Sequence, residues 1–484
     1  MTRVNSRIGF YKMIKYTGLS LFLLLSISSF SQSLTSSPYS RYGLGELNTA
    51  GFVQNFSLGG AGIAWRADTL TPSYINVLNP ASYAALRITA IETGLMSNTT
   101  QFNTGVEKFT LNNTSFAYLA VGVPIKRWWG LSFGIQPYSN VGYKIHTQEN
   151  RDSIGLIDHT YQGTGGINKA YLGSGVKLVK ESYTQRTGTD LSIGFNANYL
   201  FGAINNIREV AFESPNTYNT RIDQTIRLHD FAFDFGLQFK FRVDSVKKTY
   251  NIKVKDSDST SHTVRRRLKT DIEDITFAVG LTYAPPMGLA ATSDYLERTY
   301  LEPSTFEIYK DTITNNSNQS TIAKIPGKFG IGISVNRSYR WNVLADFTYQ
   351  QWSGYTVLGE NQGLANSMQA SLGYQFQPAL RGSYFSIVRY RLGVRYNQTY
   401  LDIGNSQLTQ VGISFGAAFP VAISRVKKHE YDINLYRNYS MINIGVELGQ
   451  MGTTSNGLIQ ENYGRVVIGF TINDRWFQRF KYND

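Results

Sequence analysis

Strict alternation of apolar with small or polar residues recurs along the chain and limits the folds open to it. The clearest run places apolar side chains at every second position: Phe231, Phe233, Phe235, Leu237, Phe239 and Phe241. Successive side chains of a β-strand point to opposite faces, so this run predicts a strand with one apolar face. Similar runs predict about 14 strands, centred near residues 92, 119, 134, 173, 196, 235, 279, 332, 346, 372, 391, 413, 443 and 468.

The residue types on the non-apolar face of these strands distinguish a membrane barrel from a soluble β-sandwich. It is built mainly of Gly, Ser, Ala and Asn, whereas the wet face of a soluble sheet usually carries Lys, Glu and Thr. The chain holds 32 Tyr, 28 Phe and 44 Gly, and only 17% of its residues are charged. Aromatic girdles around an apolar band are typical of outer-membrane barrels. We therefore expect an all-β protein, a transmembrane antiparallel β-barrel over residues 88–484.

The N-terminus predicts export to the outer membrane. Arg3, Arg7, Lys12 and Lys15 precede a short apolar run, and small residues stand at positions 29 and 31, so residues 1–31 are expected to be a removed signal peptide. The apolar run is too short for a retained membrane helix. The net charge of +13 loses four positive charges with this peptide. The remaining basic residues are spread along the chain, so we expect no nucleic-acid partner.

The stretch between the signal peptide and the first strand does not alternate. Residues 32–87 contain small and turn-forming residues, among them Gly59, Gly60, Gly62, Asn79, Pro80 and Ala81. Such a lead can be disordered or can fold into the lumen. Glycine and alanine permit close approach to a barrel wall, which favours an N-terminal hatch in the lumen.

These residues resemble a known family. The run from Leu58 to Gly62, followed by Asn79-Pro80-Ala81, is similar to the hatch of the FadL/TodX outer-membrane transporters of long-chain fatty acids and aromatic hydrocarbons. Trp352-Ser353-Gly354-Tyr355 resembles the end of a late strand pair of that family. The ending from Asn473 to Asp484 departs from a plain terminal-Phe strand and continues past the aromatic pair Trp476-Phe477, in the manner of Bacteroidetes relatives. The resemblance implies a 14-stranded barrel, with lateral release of a hydrophobic ligand at a kinked third strand.

The third strand carries a matching irregularity. Its alternation stops after Gln136 and is followed by Pro137, Tyr138, Ser139, Asn140, Val141 and Gly142. Proline cannot donate to a strand ladder, and an unpaired edge in lipid is tolerated best beside a cavity. We expect a lateral gate at Pro137, Tyr138, Asn140 and Gly142. The alternative is that Pro137 merely ends the strand at the outer rim.

A row of arginines is expected inside the lumen. Arg389, Arg391 and Arg395 alternate with apolar residues, and a lipid-facing arginine at mid-membrane costs about 2 to 4 kcal/mol. The row could form salt bridges with lumen acids, for which Asp234 and Asp346 are available, or could bind a ligand carboxylate.

The strand order leaves one region undecided. Both chain ends of an even-stranded barrel lie in the periplasm. The polar stretches near 140–166, 203–224 and 286–326 then lie outside, but Val243 to Thr270 becomes a long periplasmic connection. Either the strands there extend beyond the membrane or the order slips by one strand.

No motif predicts catalysis. Two Gly-x-Ser-x-Gly matches, at Gly130 and at Gly412, lie inside alternating strands and not in the strand-turn-helix that a nucleophile requires. The five histidines lack metal spacing, and there is no cysteine. We therefore expect no enzyme, no metal and no cofactor.

Together these features predict a monomeric channel for passive uptake of small hydrophobic molecules, with outer-membrane lipid and the ligand as partners. The alternative is a barrel of the same fold that docks a protein partner, as a shuttle or plug of a secretion system.

Overall fold

The computed structural model describes residues 37–48, 51–67, 74–152, 154–179, 189–214, 217–255, 264–302, 307–379, 383–404, 406–421 and 440–474. The predicted signal peptide, residues 1–31, lies outside the described residues, as does the chain end after residue 474.

Fourteen antiparallel strands form a closed barrel. They are β1 Thr89–Asn103, β2 Lys108–Lys126, β3 Trp129–Arg151, β4 Gly155–Val179, β5 Asp190–Phe212, β6 Asn219–Lys255, β7 Val264–Ala284, β8 Lys328–Arg337, β9 Trp341–Gln350, β10 Ser367–Phe376, β11 Arg389–Ile403, β12 Ser406–Val421, β13 Ser440–Met451 and β14 Gln460–Asp474. Each strand pairs with the next, and β14 pairs with β1 from Gln460↔Asn103 to Asp474↔Thr89. The predicted barrel of 14 strands is confirmed.

Smaller elements complete the fold. A hairpin of Met287–Leu301 and Ile308–Ile325 follows β7, and short strands cover Glu46–Leu47, Thr356–Val357 and Glu360–Asn361. Among the described residues, α-helices cover Val53–Phe56 and Tyr384–Ile387, and 3-10 helices cover Pro38–Arg41, Pro80–Ala85, Trp352–Gly354 and Ser455–Gly457. In the part of the chain that the structure describes, no helix is long and apolar enough to cross a membrane.

The outer face of the barrel is an apolar band. Every second residue of the strands exposes a large apolar side chain, as at Phe133, Phe235, Leu372, Phe415 and Ile468. Such a surface would be unstable in water, and it matches the lipid-facing band of outer-membrane barrels. The protein is therefore a barrel of the outer-membrane type.

The wall extends far beyond this band on one side. The stretches near 140–166, 203–224 and 286–326, expected outside the membrane, are for most of their length strand, in β3 to β6 and in the hairpin that follows β7. Both faces of a strand outside the membrane are wet, so the apolar alternation is lost there. At the opposite end, β6 and β7 stay paired as far as Lys255↔Val264, so the strands extend and the order does not slip.

Residues 51–67 and 74–87, which we call the plug, pack inside the barrel. Phe52, Leu58, Ile75 and Tyr83 are buried there. The wall accommodates the plug with inward-facing glycines: a Cβ atom would lie within 3.0 Å of plug backbone at Gly130, Gly175, Gly194, Gly280, Gly373 and Gly393. Gly59 of the plug is in the same position relative to the wall, since a Cβ atom on it would meet the backbone of Val394 on β11. Its φ of 69° also favours glycine. The glycine-rich composition thus lets two backbones touch.

Buried polar side chains of the wall hold the plug. Asp346 on β9 accepts hydrogen bonds from the backbone N–H of Gly62 at 2.6 Å and of Ile63 at 2.7 Å. Glu92 on β1 accepts one from Ile75 N–H at 2.6 Å. Asn79 of the plug donates to the carbonyl of Leu237 on β6 at 3.1 Å. Because these bonds come from separate strands, the plug is anchored around the barrel.

Candidate lateral gate and lumen

The barrel wall is split beside the third strand. The pairing of β2 with β3 ends at Leu119↔Ile135, although both strands continue towards the outer end. The pairing of β3 with β4 goes on to Arg151↔Gly155, with a bulge between Pro137 and Ser139. Pro137 therefore does not end the strand. It marks the place where β3 leaves β2 and follows β4 alone.

A short N-terminal strand occupies the edge of β3 that β2 leaves. We call residues 46–48 the strap: Glu46 pairs with Asn140 and Leu47 with Ser139, and Asn48 N–H donates to the Tyr138 carbonyl at 3.1 Å. Just beyond the strap, Ser40 Oγ accepts from Gly142 N–H at 3.1 Å. Tyr138, Asn140 and Gly142 of the predicted gate are thus contacts of the N-terminal segment.

A central cavity of about 210 Å³ lies between the plug and this wall. Its lining is mainly apolar and includes Val77, Leu78, Leu200, Met287, Leu289 and Ile325. Its charged residues are Lys169, Asp234 and Lys328, and it extends to Pro137 and Tyr138. An apolar cavity with a few polar groups is the usual form of a small-molecule site.

A smaller cavity of about 60 Å³, which we call the slot, lies at the split itself. One bank is formed by β1 and β2, with Asn98, Ser115 and Phe116, and the other by Gln136, Pro137 and Asn140 of β3. The slot shares Leu47, Asn48, Gln136 and Pro137 with the central cavity. The strap and the bulge therefore form the boundary between the two spaces.

The arginine row lies in a polar network on the other side of the lumen. Arg395 donates to Glu447 on β13 at 2.6 Å, and Arg391 donates to Gln375 at 2.9 Å and Asn443 at 3.0 Å. Arg389 donates to Gln377 at 3.1 Å. Of the two acids expected to be available to this row, Asp346 accepts from the plug backbone at Gly62, and Asp234 accepts from Asn198 at 2.8 Å.

The sequence analysis missed Glu447, which lies on the lumen face of β13 together with Asn443 and Gly445. The sequence signal was the alternation along β13. Ile444 and Leu448 face outwards, so Glu447, which lies on the other face of the strand, faces the lumen. A second cavity of about 160 Å³ reaches this network at Arg395 and Arg465.

The outer end of the lumen is closed by an apolar cluster. Trp352 and Tyr400 stack with ring centroids 4.7 Å apart, and Tyr355 and Leu44 are buried beside them. Tyr39, from the same N-terminal segment, donates to the Ile459 carbonyl at 2.7 Å. Residues 37–47 thus lie above the plug, nearer the outer loops.

In the described residues, no group of three or more His, Cys, Asp or Glu side chains is placed to hold a metal ion. Three acids of the lumen, Glu92, Asp346 and Glu447, accept hydrogen bonds from the plug or from another strand.

Solved structures with a similar fold are channels. The CymD monoaromatic hydrocarbon channel aligns with a TM-score of 0.50 and 12% identity, over 90% of this chain and 100% of that chain. A FadL homologue from Pseudomonas aeruginosa aligns with a TM-score of 0.50 and 9% identity, over 88% and 99%. Identities this low show the fold alone, and they give no support for an origin in Bacteroidetes.

Comparison of sequences gives the family. None of the curated proteins matches the chain. The BamG family model matches it twice, over residues 13–278 and 262–483, and so spans nearly the whole chain. This protein, a FadL-like barrel with a plugged lumen and a split wall, belongs to the BamG family.

Proposed function

We propose that the protein is an outer-membrane channel for passive uptake of small, largely hydrophobic molecules, which leave sideways at the split beside β3. A molecule captured at the outer loops passes the apolar cluster around Trp352 and enters the central cavity. The plug blocks the direct way to the periplasm. The open route is the slot between β2 and β3, which faces the membrane.

The observation that carries this proposal is the contact between the central cavity and the gap in the wall. The cavity reaches Pro137, and the ladder between β2 and β3 is missing beyond Ile135. Unpaired backbone is costly in lipid and is tolerated where it borders a cavity. The channels of similar fold, one of them described as a monoaromatic hydrocarbon channel, support the substrate class.

A protein-docking role on the same fold is less well supported by the lumen. A barrel that serves only as a docking platform can be filled solid with side chains. Here the lumen keeps a cavity of about 210 Å³ with a mainly apolar lining. A cavity that borders the split is of use to a transported ligand and not to a docked protein.

Restoring the ladder at the bulge tests the route. Tyr138 is the extra residue, since Pro137 pairs with Asn168 and Ser139 with the preceding Ile167. Deleting Tyr138 together with Pro137→Thr should give β3 a regular edge that β2 can approach. We expect uptake of a fluorescent hydrophobic probe by proteoliposomes to fall to the rate of protein-free vesicles.

The matched control is Pro420→Thr, because Pro420 also lies within a strand, in β12, but far from the split. This variant should transport normally. Unchanged uptake in the folded Tyr138-deletion variant would refute lateral release.

A further inference from the structure

The slot carries several side-chain amides among its apolar residues, although it opens towards the apolar band of the barrel. Its lining includes the side-chain amides of Asn48, Asn98, Gln136 and Asn140. Phe116, which also lines it, is exposed on the outer wall. A passage for plain hydrocarbons has no use for amides at its narrow point, since a hydrocarbon cannot form hydrogen bonds with them.

Several of these amides have hydrogen-bonding capacity to spare. Asn140 Nδ2 donates to Asn48 Oδ1 at 3.2 Å, which leaves Asn140 Oδ1 and Asn48 Nδ2 buried without a hydrogen-bond partner. Asn98 Oδ1, on the opposite bank, is also buried without one. The slot therefore offers both a donor and acceptors. Buried polar atoms without partners are costly, so a visiting group that satisfies them is favoured.

The charges of the slot compensate each other. Arg465 Nη2 lies 2.6 Å from Glu46 Oε1, and its Nη1 lies 4.0 Å from Glu447. Neither sign is left in excess for a charged visitor. A carboxylate can be attracted to Lys169 and Lys328 in the central cavity, but it would have to leave them to cross the slot.

We propose that the slot selects molecules with an uncharged hydrogen-bonding head group, such as a hydroxyl or an amide, on an apolar chain. This inference rests on the proposed uptake function and names its substrate class. The head group satisfies the free donor and acceptors during passage, and the chain fits the central cavity. A hydrocarbon leaves the amides unsatisfied, and an anion enters the slot without a free counter-charge.

Three probes that share one alkyl chain test the selectivity: 1-dodecanol, dodecanoate and dodecane. Their entry into outer-membrane vesicles is measured with and without the protein, at mildly alkaline pH. We expect protein-dependent entry of 1-dodecanol to exceed that of each other probe by about tenfold, as expected for one unmet buried hydrogen bond. In Asn98→Leu the preference over dodecane should shrink to near one.

Asn112→Leu is the matched control. Asn112 lies on β2 near the slot, but its side chain is exposed and bonds to Ser97 on the outer surface. It should keep the preference of the unaltered protein. If Asn98→Leu does not fold, Gln136→Leu tests the same lining from the β3 bank and should show the same shift.

The outcomes separate this inference from the function on which it rests. Equal entry of dodecane and 1-dodecanol overturns the selectivity and leaves uptake standing. Fastest entry of dodecanoate also overturns it, in favour of selection by Lys169 and Lys328. If no probe enters faster than in vesicles without the protein, the proposed uptake function fails as well.

Discussion

Single glycines decide how closely the plug and the wall approach. Gly194 on β5 faces Pro80 and Ala81, and a Cβ atom there would collide with plug backbone. Backbone held by hydrogen bonds on both sides cannot move away as a flexible side chain can. The face of the strands that carries Gly, Ser, Ala and Asn therefore does more than line the lumen. It also forms the close-packed surface, which we call the seat, against which the plug packs.

Gly194→Ala should destabilise the seated plug. Overpacking of a close contact costs about 1 to 3 kcal/mol. We expect a lower denaturant midpoint for unfolding in detergent micelles and a higher ion conductance in planar bilayers, because the plug no longer fits.

Gly464→Ala is the control for this effect, since the nearest atom to its Cβ would be Leu448 Cδ2 at an ordinary contact distance of 3.5 Å. Equal midpoints and conductances for the two variants would show that the seat is not tight.

At the scale of elements, alternation was sufficient to find all 14 barrel strands, because each has one face in lipid. It could not find the outer halves of β3 to β6, whose two faces are both wet. The strand Glu46–Leu47 of the strap is too short to show any period. The irregularity at Pro137 was visible in the sequence, but the slot was not, because its amides come from β1, β3 and the strap, which are far apart along the chain.

The cost of a charged substitution on the lipid-facing side of a strand should depend on how deep the residue lies in the membrane. Phe415→Arg places a cation on the lipid face in the middle of β12, at a cost of about 2 to 4 kcal/mol, whereas Thr409→Arg on the same face near the outer end should cost about 0 to 1 kcal/mol. Unfolding in lipid vesicles by denaturant measures both. Equally small losses of stability for the two variants would place that face of β12 outside the hydrocarbon.

At the scale of the whole molecule, the lumen has two unlike sides. The central cavity lies against Leu200, Met287 and Leu289 and is mainly apolar. The β11 to β14 side carries the network of Arg391, Arg395 and Glu447. Buried charges that have hydrogen-bond partners make the polar side rigid. The ladder between β2 and β3, in contrast, is missing beyond Ile135. Any opening that passes a ligand is therefore expected at β2 and β3.

A closed barrel of this kind should resist detergent until heated. We expect the unheated protein to run faster than the boiled protein on a denaturing gel, since the ladder that joins β14 to β1 keeps it compact. The folded form should be recovered in the membrane fraction. One mobility at all temperatures, or recovery in the soluble periplasm, would contradict the assignment.

The seat of glycines also constrains the order of assembly. Backbone of Ile63 lies against Gly280 of β7, and backbone of Leu58 against Gly393 of β11. A segment with such contacts could hardly be threaded into a finished cylinder. The plug precedes the strands in the chain, so it can act as a template around which the sheet closes. The pairing of β14 with β1 would then form last. Its residues would then be needed to build the barrel as well as to block it.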